Sequence, residues 1–89
     1  MMIEKLSTDT GITLKIIGRL DTTTAPELEA TVDGCIAGLK ELVMDCSELE
    51  YVSSAGLRVI LKAQKLMNVN ETIMEVFEIT GFADILNIE

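Results

Sequence analysis

Eighty-nine residues with a formal charge of −8, no His, no Trp, one Tyr and two Phe describe one small domain with an aliphatic core, since a chain of this size closes a single core and has nothing left for a second. The acidic balance and the scarcity of rings exclude a nucleic-acid partner, which needs Lys and Arg in excess and platforms for bases to stack on, and the absence of His removes Ser/His triads and most zinc sites. At 48% hydrophobic residues the chain can fold, yet no apolar run approaches the roughly 20 residues of a membrane span and no basic-then-apolar leader follows Met1, so no membrane association and a cytoplasmic location are expected.

Taken in chain order, Ile3–Thr8 alternates as an edge strand, Asp9 and Gly11 turn the chain, and Ile12–Gly18 returns as a second strand. Over TTTAPELEATVDGCIAGL the period changes: Leu28, Val32, Cys35, Ile36 and Leu39 recur at three- and four-residue steps, the mark of an amphipathic helix. Thr24 and Glu27 fit a capping box at its start, and Pro26 suits the first turn. Glu41–Cys46 reads as a short strand buried on both faces. A second helix is predicted over Ser54–Met67, apolar around much of its circumference. A third is predicted over Glu71–Thr80, capped by Asn70 and Gly81, with Ile73, Val76 and Phe77 inward. DILNI, Asp84–Ile88, closes the chain as a strand, with Phe82 covering the sheet edge. Cys35 and Cys46, which share no CxxC pattern, read as small buried hydrophobes, and Met44, Met67 and Met74 as core filler.

The resulting order, strand, strand, helix, strand, helix, helix, strand, is an α/β pattern of parallel strands and crossovers with one member absent. No strand separates the second and third helices at LMNVNET. Either those helices form a hairpin over the sheet, or roughly ten residues, a strand and its turn, are missing after Met67.

Three stretches, GRLDTTTAPEL (Gly18–Leu28), ELVMDCSELEYVSSAGLRVIL (Glu41–Leu61) and EVFEITGFADIL (Glu75–Leu86), resemble the STAS domains, and specifically the bacterial anti-sigma factor antagonists. The resemblance implies a SpoIIAA-like α/β fold, a mixed and mostly parallel sheet with helices packed mainly on one face. It also implies a strand between the second and third helices, which sharpens the expectation of a gap after Met67. The family motif, Asp-Ser-Ser/Thr-Gly-Leu, matched back from Gly56 and Leu57, puts the phosphoacceptor on Ser54 and Ser53 at the position of the Asp. The implied partners are an anti-sigma factor serine kinase and a PP2C-type phosphatase, with no cofactor, metal or catalytic residue. The alternative is a non-catalytic STAS scaffold or a nucleotide-sensing domain of a larger signalling assembly, using the same helix start without covalent change.

Ser54 falls at the predicted N-cap, with the small Ala55 and Gly56 leaving the first-turn amides open to approach. A phosphate there would meet a favourable field, on the order of a kcal/mol or less, so phosphorylation is expected to act on an interface and leave the helix intact. Arg58, Lys62 and Lys65 follow Ser54 along one face of the predicted helix. They read either as a contact strip for an acidic partner or as an ordinary solvated face. Asp21 is a turn residue ahead of the first helix or, by the resemblance, part of the border of the partner surface. The candidate partner-binding residues are thus Asp21, Thr22, Ser53, Ser54, Gly56, Arg58 and Lys62. An enzyme is not expected: no His is present to activate Ser54, and Asp21 and Asp45 lack metal-site spacing.

Overall fold

The computed structural model describes residues 1–9, 11–36, 41–63 and 65–89, without the side chains of 35 and 36. Met2–Ser7 forms β1 and Ile12–Leu20 forms β2, paired antiparallel from Met2 opposite Ile17 to Ser7 opposite Ile12. β2 alternates as a half-buried strand should: Leu14, Ile16 and Leu20 are buried, and Thr13, Lys15 and Ile17 on the other face are half-buried. The chain continues through α1 (Ala25–Ile36), β3 (Leu42–Asp45), β4 (Leu49–Val52), α2 (Ser54–Ile60), β5 (Lys65–Met67) and α3 (Glu71–Thr80), and a 3₁₀ turn spans Phe82–Asp84. β3 runs parallel to the first half of β2 and β4 to its last residues, Gly18–Leu20, so β2 holds two successive neighbours. β5 lies parallel to β3 on the far side. The sheet is therefore mixed and mostly parallel, as expected.

One face of this sheet carries the core. Leu14 and Ile16 of β2, Leu42 and Met44 of β3 and Leu66 of β5 pack with Leu28 and Val32 of α1, Leu57 and Ile60 of α2, and Ile73 and Phe77 of α3. Each fully buried Leu, Ile or Phe contributes roughly 1.5–3 kcal/mol, whereas an exposed ion pair contributes about 1 kcal/mol at most. Pairs such as Lys15–Glu48, 2.7 Å apart and partly exposed, therefore decorate a fold that the aliphatic core maintains. Cys46 is buried and unpaired, and burial pushes its thiol up to about 12, which leaves it unreactive.

α3 matches its predicted bounds, with Asn70 and Gly81 at its ends. Gly81 takes φ of 80°, the left-handed geometry that glycine adopts without a Cβ penalty. The Asn70 side chain does more than cap: Oδ1 accepts from Ile73 N at 3.0 Å while Nδ2 donates to Cys46 O at 3.2 Å and Leu49 O at 2.8 Å. It thereby stitches α3 to the turn between β3 and β4.

Four expectations are corrected. The strand expected between the second and third helices is present: it is β5, and the predicted gap after Met67 is not needed to supply it. Three residues are too few to show a period, so the apolar Leu66 and Met67 read as a continuation of the helix pattern. α2 accordingly ends at Ile60, seven residues before Met67, and its last turn tightens through i→i+3 bonds from Lys62 N to Val59 O and from Ala63 N to Ile60 O, each 3.0 Å. β4 was not foreseen, because its burial runs buried, exposed, exposed, buried and hides the two-residue period. Its register shifts at a bulge between Gly18 and Arg19, which allows that pattern. The closing strand shrinks to a single bridge, Ile88 opposite Leu66, after the 3₁₀ turn uses Phe82–Asp84. Leu39 and the side chains of Cys35 and Ile36, assigned to the core face of the first helix, lie outside the described residues.

Candidate functional site

Parallel neighbours release their chains at the same end of a sheet, and loops that leave carboxyl ends side by side are where α/β folds build sites. Leu20 of β2 pairs with Val52 of β4, so the loops that follow, Asp21–Thr24 and Ser53, emerge together. Ser53 N donates to Leu20 O at 2.9 Å and fixes one loop to the other.

Each loop opens a helix by a different device. At α1 the predicted box of Thr24 and Glu27 is displaced by one turn. Asp21 Oδ1 accepts from Thr23 N at 2.9 Å and Thr24 N at 3.1 Å, while Thr24 Oγ1 accepts from Asp21 N at 2.8 Å. This is a reciprocal box with Asp21 as the cap, and Ala25 N to Asp21 O at 2.7 Å closes its turn. Three adjacent threonines made the start ambiguous in sequence. Donation from the Thr24 backbone, foremost, and from Thr23 holds the Asp21 carboxyl below the usual carboxylate range against a smaller opposing effect of desolvation.

At α2 the cap belongs to Ser53 and not, as predicted, to Ser54. Ser53 has extended backbone and its Oγ accepts from Gly56 N at 3.3 Å. It fills structurally the role a carboxylate would take at that position. Ser54 is the first residue of the helix, exposed, and its hydroxyl has no hydrogen bond among the described residues. Gly56 is buried: a Cβ there would stand 2.7 Å from Leu20 Cγ and 3.0 Å from Leu20 O. Its small size seats α2 on β2, and it offers no surface to a partner.

The basic stripe does not form. Arg58 is exposed on α2 and, with Thr22, Ala25, Pro26, Glu29, Ala55 and Val59, lines a groove of about 290 Å³ between the starts of α1 and α2. Lys62 lies beyond the end of α2 and is paired with Asp33 at 3.0 Å and Glu29 at 3.4 Å of α1. These carboxylates, Asp33 first, raise its ammonium above the ordinary value. Lys65 belongs to β5 and meets Glu89 at 3.4 Å and Glu41 at 3.7 Å. Shortening α2 is what separates these cations. Asp21, Thr22, Ser53, Ser54 and Arg58 thus share one end of the molecule, whereas Gly56 and Lys62 serve packing and helix docking.

Sequence reading missed one exposed pair at this end. The Arg19 guanidinium lies 4.3 Å from the centroid of the Tyr51 ring, and both sit one or two residues before the paired loops. The signal was the chain's single Tyr in an unassigned segment; without β4, nothing set Tyr51 opposite Arg19.

Among the described residues no group of three or more His, Cys, Asp or Glu is arranged to hold a metal ion, and no helix is long and apolar enough to cross a membrane. BtrV of Bordetella bronchiseptica, a candidate anti-sigma factor antagonist, is 41% identical over 69 residues, covering 66% of this chain and 57% of that protein. The anti-sigma-B factor antagonist of Staphylococcus aureus is 28% identical over 97 residues, covering 97% of this chain and 90% of that protein. That alignment is longer than the 89-residue chain, so the relative carries residues with no counterpart here. Among solved structures, Bacillus SpoIIAA in its phosphorylated form superposes with a TM-score of 0.70 at 16% identity, over 99% of this chain and 91% of that one. The STAS domain model matches residues 2–89. With the mixed sheet, the helices on one face and the exposed serine that begins α2, this match over nearly the whole length establishes that the chain belongs to the STAS domain family.

Proposed function

We propose that the protein is an anti-sigma factor antagonist, a binding module without catalytic activity that docks on an anti-sigma factor serine kinase through Ser54, Ser53, Thr22, Asp21 and Arg58. The observation that carries this reading is the Ser54 hydroxyl: it is exposed and unbonded among the described residues, while its neighbour Ser53 performs the cap. A structural serine at a helix start is normally engaged in capping. Here the hydroxyl is left available, and the relatives named above are an anti-sigma-B factor antagonist and a candidate anti-sigma factor antagonist.

Transfer would proceed with the Ser54 oxygen bonding to the γ-phosphorus of ATP held by the kinase. The bond to ADP breaks, and the hydroxyl proton passes to a base of the kinase. The modified side chain carries on the order of −1.5 to −2 charges in a surface shaped for a neutral hydroxyl, and docking is lost by repulsion and desolvation. The fold should be unaffected, because the Ser54 hydroxyl has no hydrogen bond among the described residues that would have to break. A PP2C-type phosphatase would reverse the change.

The test is incubation with the cognate kinase and ATP, followed by peptide mapping in a mass spectrometer. Phosphate on Ser54, and none in Ser54→Ala, is expected, with Ser54→Ala still binding the kinase but no longer released by ATP. A kinase active on another substrate that leaves Ser54 unmodified refutes the mechanism.

A further inference from the structure

We propose that Arg58 is an internal partner for the phosphorylated form of Ser54, so that modification removes a cation from the docking surface as well as adding an anion. This rests on the reading of Ser54 as phosphoacceptor and deepens it. Ser54 and Arg58 are both exposed on α2 and four residues apart. Residues at that spacing face each other along a helix, with Cβ atoms about 5–6 Å apart, and the anion-first order is the favourable one.

The second observation is that Arg58 is kept without a partner. It has no ion pair, hydrogen bond or ring contact among the described residues, a condition it shares with Lys5 of β1, whereas Lys15, Lys62 and Lys65 are paired with carboxylates and Arg19 is stacked on Tyr51. The carboxylate that lines the shared groove, Glu29, is paired at 3.4 Å with Lys62, which also takes Asp33 at 3.0 Å. With Glu29 engaged by Lys62, the Arg58 guanidinium has no carboxylate partner in the groove among the described residues. In the unmodified protein the guanidinium can meet a carboxylate of the partner. After phosphorylation its planar fork meets the phosphate oxygens, and this turn of α2 changes from net positive to net negative.

The experiment installs phosphoserine at position 54 during translation of the full chain, so that no kinase is involved, and follows the phosphate by phosphorus NMR across pH. The charged groups that bear on it are Arg58, Asp21 on the adjoining loop, Glu29 and Asp33 of α1, and Lys62. The phosphate should titrate a few tenths of a pH unit lower in the Arg58 protein than in Arg58→Gln. Arg58→Lys should recover most of the difference, and salt near 1 M should erase it. Arg58 is exposed, so both variants should fold, which the amide spectrum verifies. Identical titrations in the Arg58 protein and in Arg58→Gln overturn the proposal. Failure of the kinase to modify Ser54 would refute the functional reading instead and leave this measurement unaffected.

Discussion

The starts of α2 and α3 are built from the same parts, a short polar side chain in extended backbone that accepts from the amide three residues on. At α3 the Asn70 amide group is fully engaged, one oxygen on its own helix and two N–H bonds on Cys46 and Leu49. At α2 the cap is a single bond of 3.3 Å from Gly56 N to Ser53 Oγ, and the next hydroxyl is engaged with nothing described. A helix start that only holds the fold together uses every donor and acceptor it has. At α2, where we propose a modification, the work is divided: Ser53 caps and Ser54 stays accessible.

The sharpest challenge to that contrast is Asn70→Ala. It removes a cap worth about 1 kcal/mol and two bonds to partly buried carbonyls worth about 1 kcal/mol each, so a loss of about 2–3 kcal/mol is expected. For a domain of this size that lowers the thermal midpoint by roughly 10 °C or more. Asn70→Ser, which keeps a capping oxygen without setting a second acceptor against the two carbonyls, should fall between. An Asn70→Ala protein that melts with the wild type would mean the stitch to the β3–β4 turn carries no stability.

At α2 the two serines should separate cleanly. Ser53→Ala loses a long capping bond, and a cost near the low end of the range, about 0.5–1 kcal/mol, is expected in denaturant unfolding. Ser53→Asp, which reinstates the carboxylate of the family motif, should equal or slightly exceed wild-type stability, since an anion is favourable at a helix start. Ser54→Ala should stay within about 0.5 kcal/mol of wild type. If Ser54→Ala were the more damaging of the pair, the division of labour between them would be wrong.

What could be read from sequence follows the same physical divide. α3 was legible to the residue because ten positions show a helical period and both ends carry their own stop signals, Asn70 and Gly81. The proposal of Ser54 as acceptor rests on resemblance, for nothing in SSAGLR by itself tells a cap from a free hydroxyl. β4 and β5 are four and three residues long and are strands because β2 and β3 offer them edges, a tertiary cause that leaves no periodic trace. The hidden β5 bears on the site: without it the helical pattern of α2 runs on to Met67 and sets Lys62 and Lys65 on a stripe with Arg58 that the chain does not form. Ion pairs between elements, such as Lys62 with Glu29 and Asp33, depend on which helices become neighbours and were hidden for the same reason.

The third helix start, at α1, gives the finest test, because its cap is an ionised carboxylate. The backbone amide of Thr24, chiefly, and that of Thr23 hold the Asp21 carboxyl below its ordinary value. A carboxyl depressed in the folded state contributes stability that is present above its unfolded value of about 3.9 and is lost as pH falls through the lower folded value. Below that window the protonated oxygen is a weaker acceptor, and the Asp21–Thr24 box loosens. The Asp21 side-chain resonance should therefore show a midpoint below the ordinary one, with the Thr24 amide shift moving in step. Asp21→Asn keeps an oxygen for both amides and should abolish the pH dependence of the Thr24 signal while preserving the helix. An Asp21 midpoint at or above the ordinary value would show that the box is not formed in solution. In that case the loop beside Ser54 would lack the fixed shape that distinguishes this end of the molecule from the start of α3.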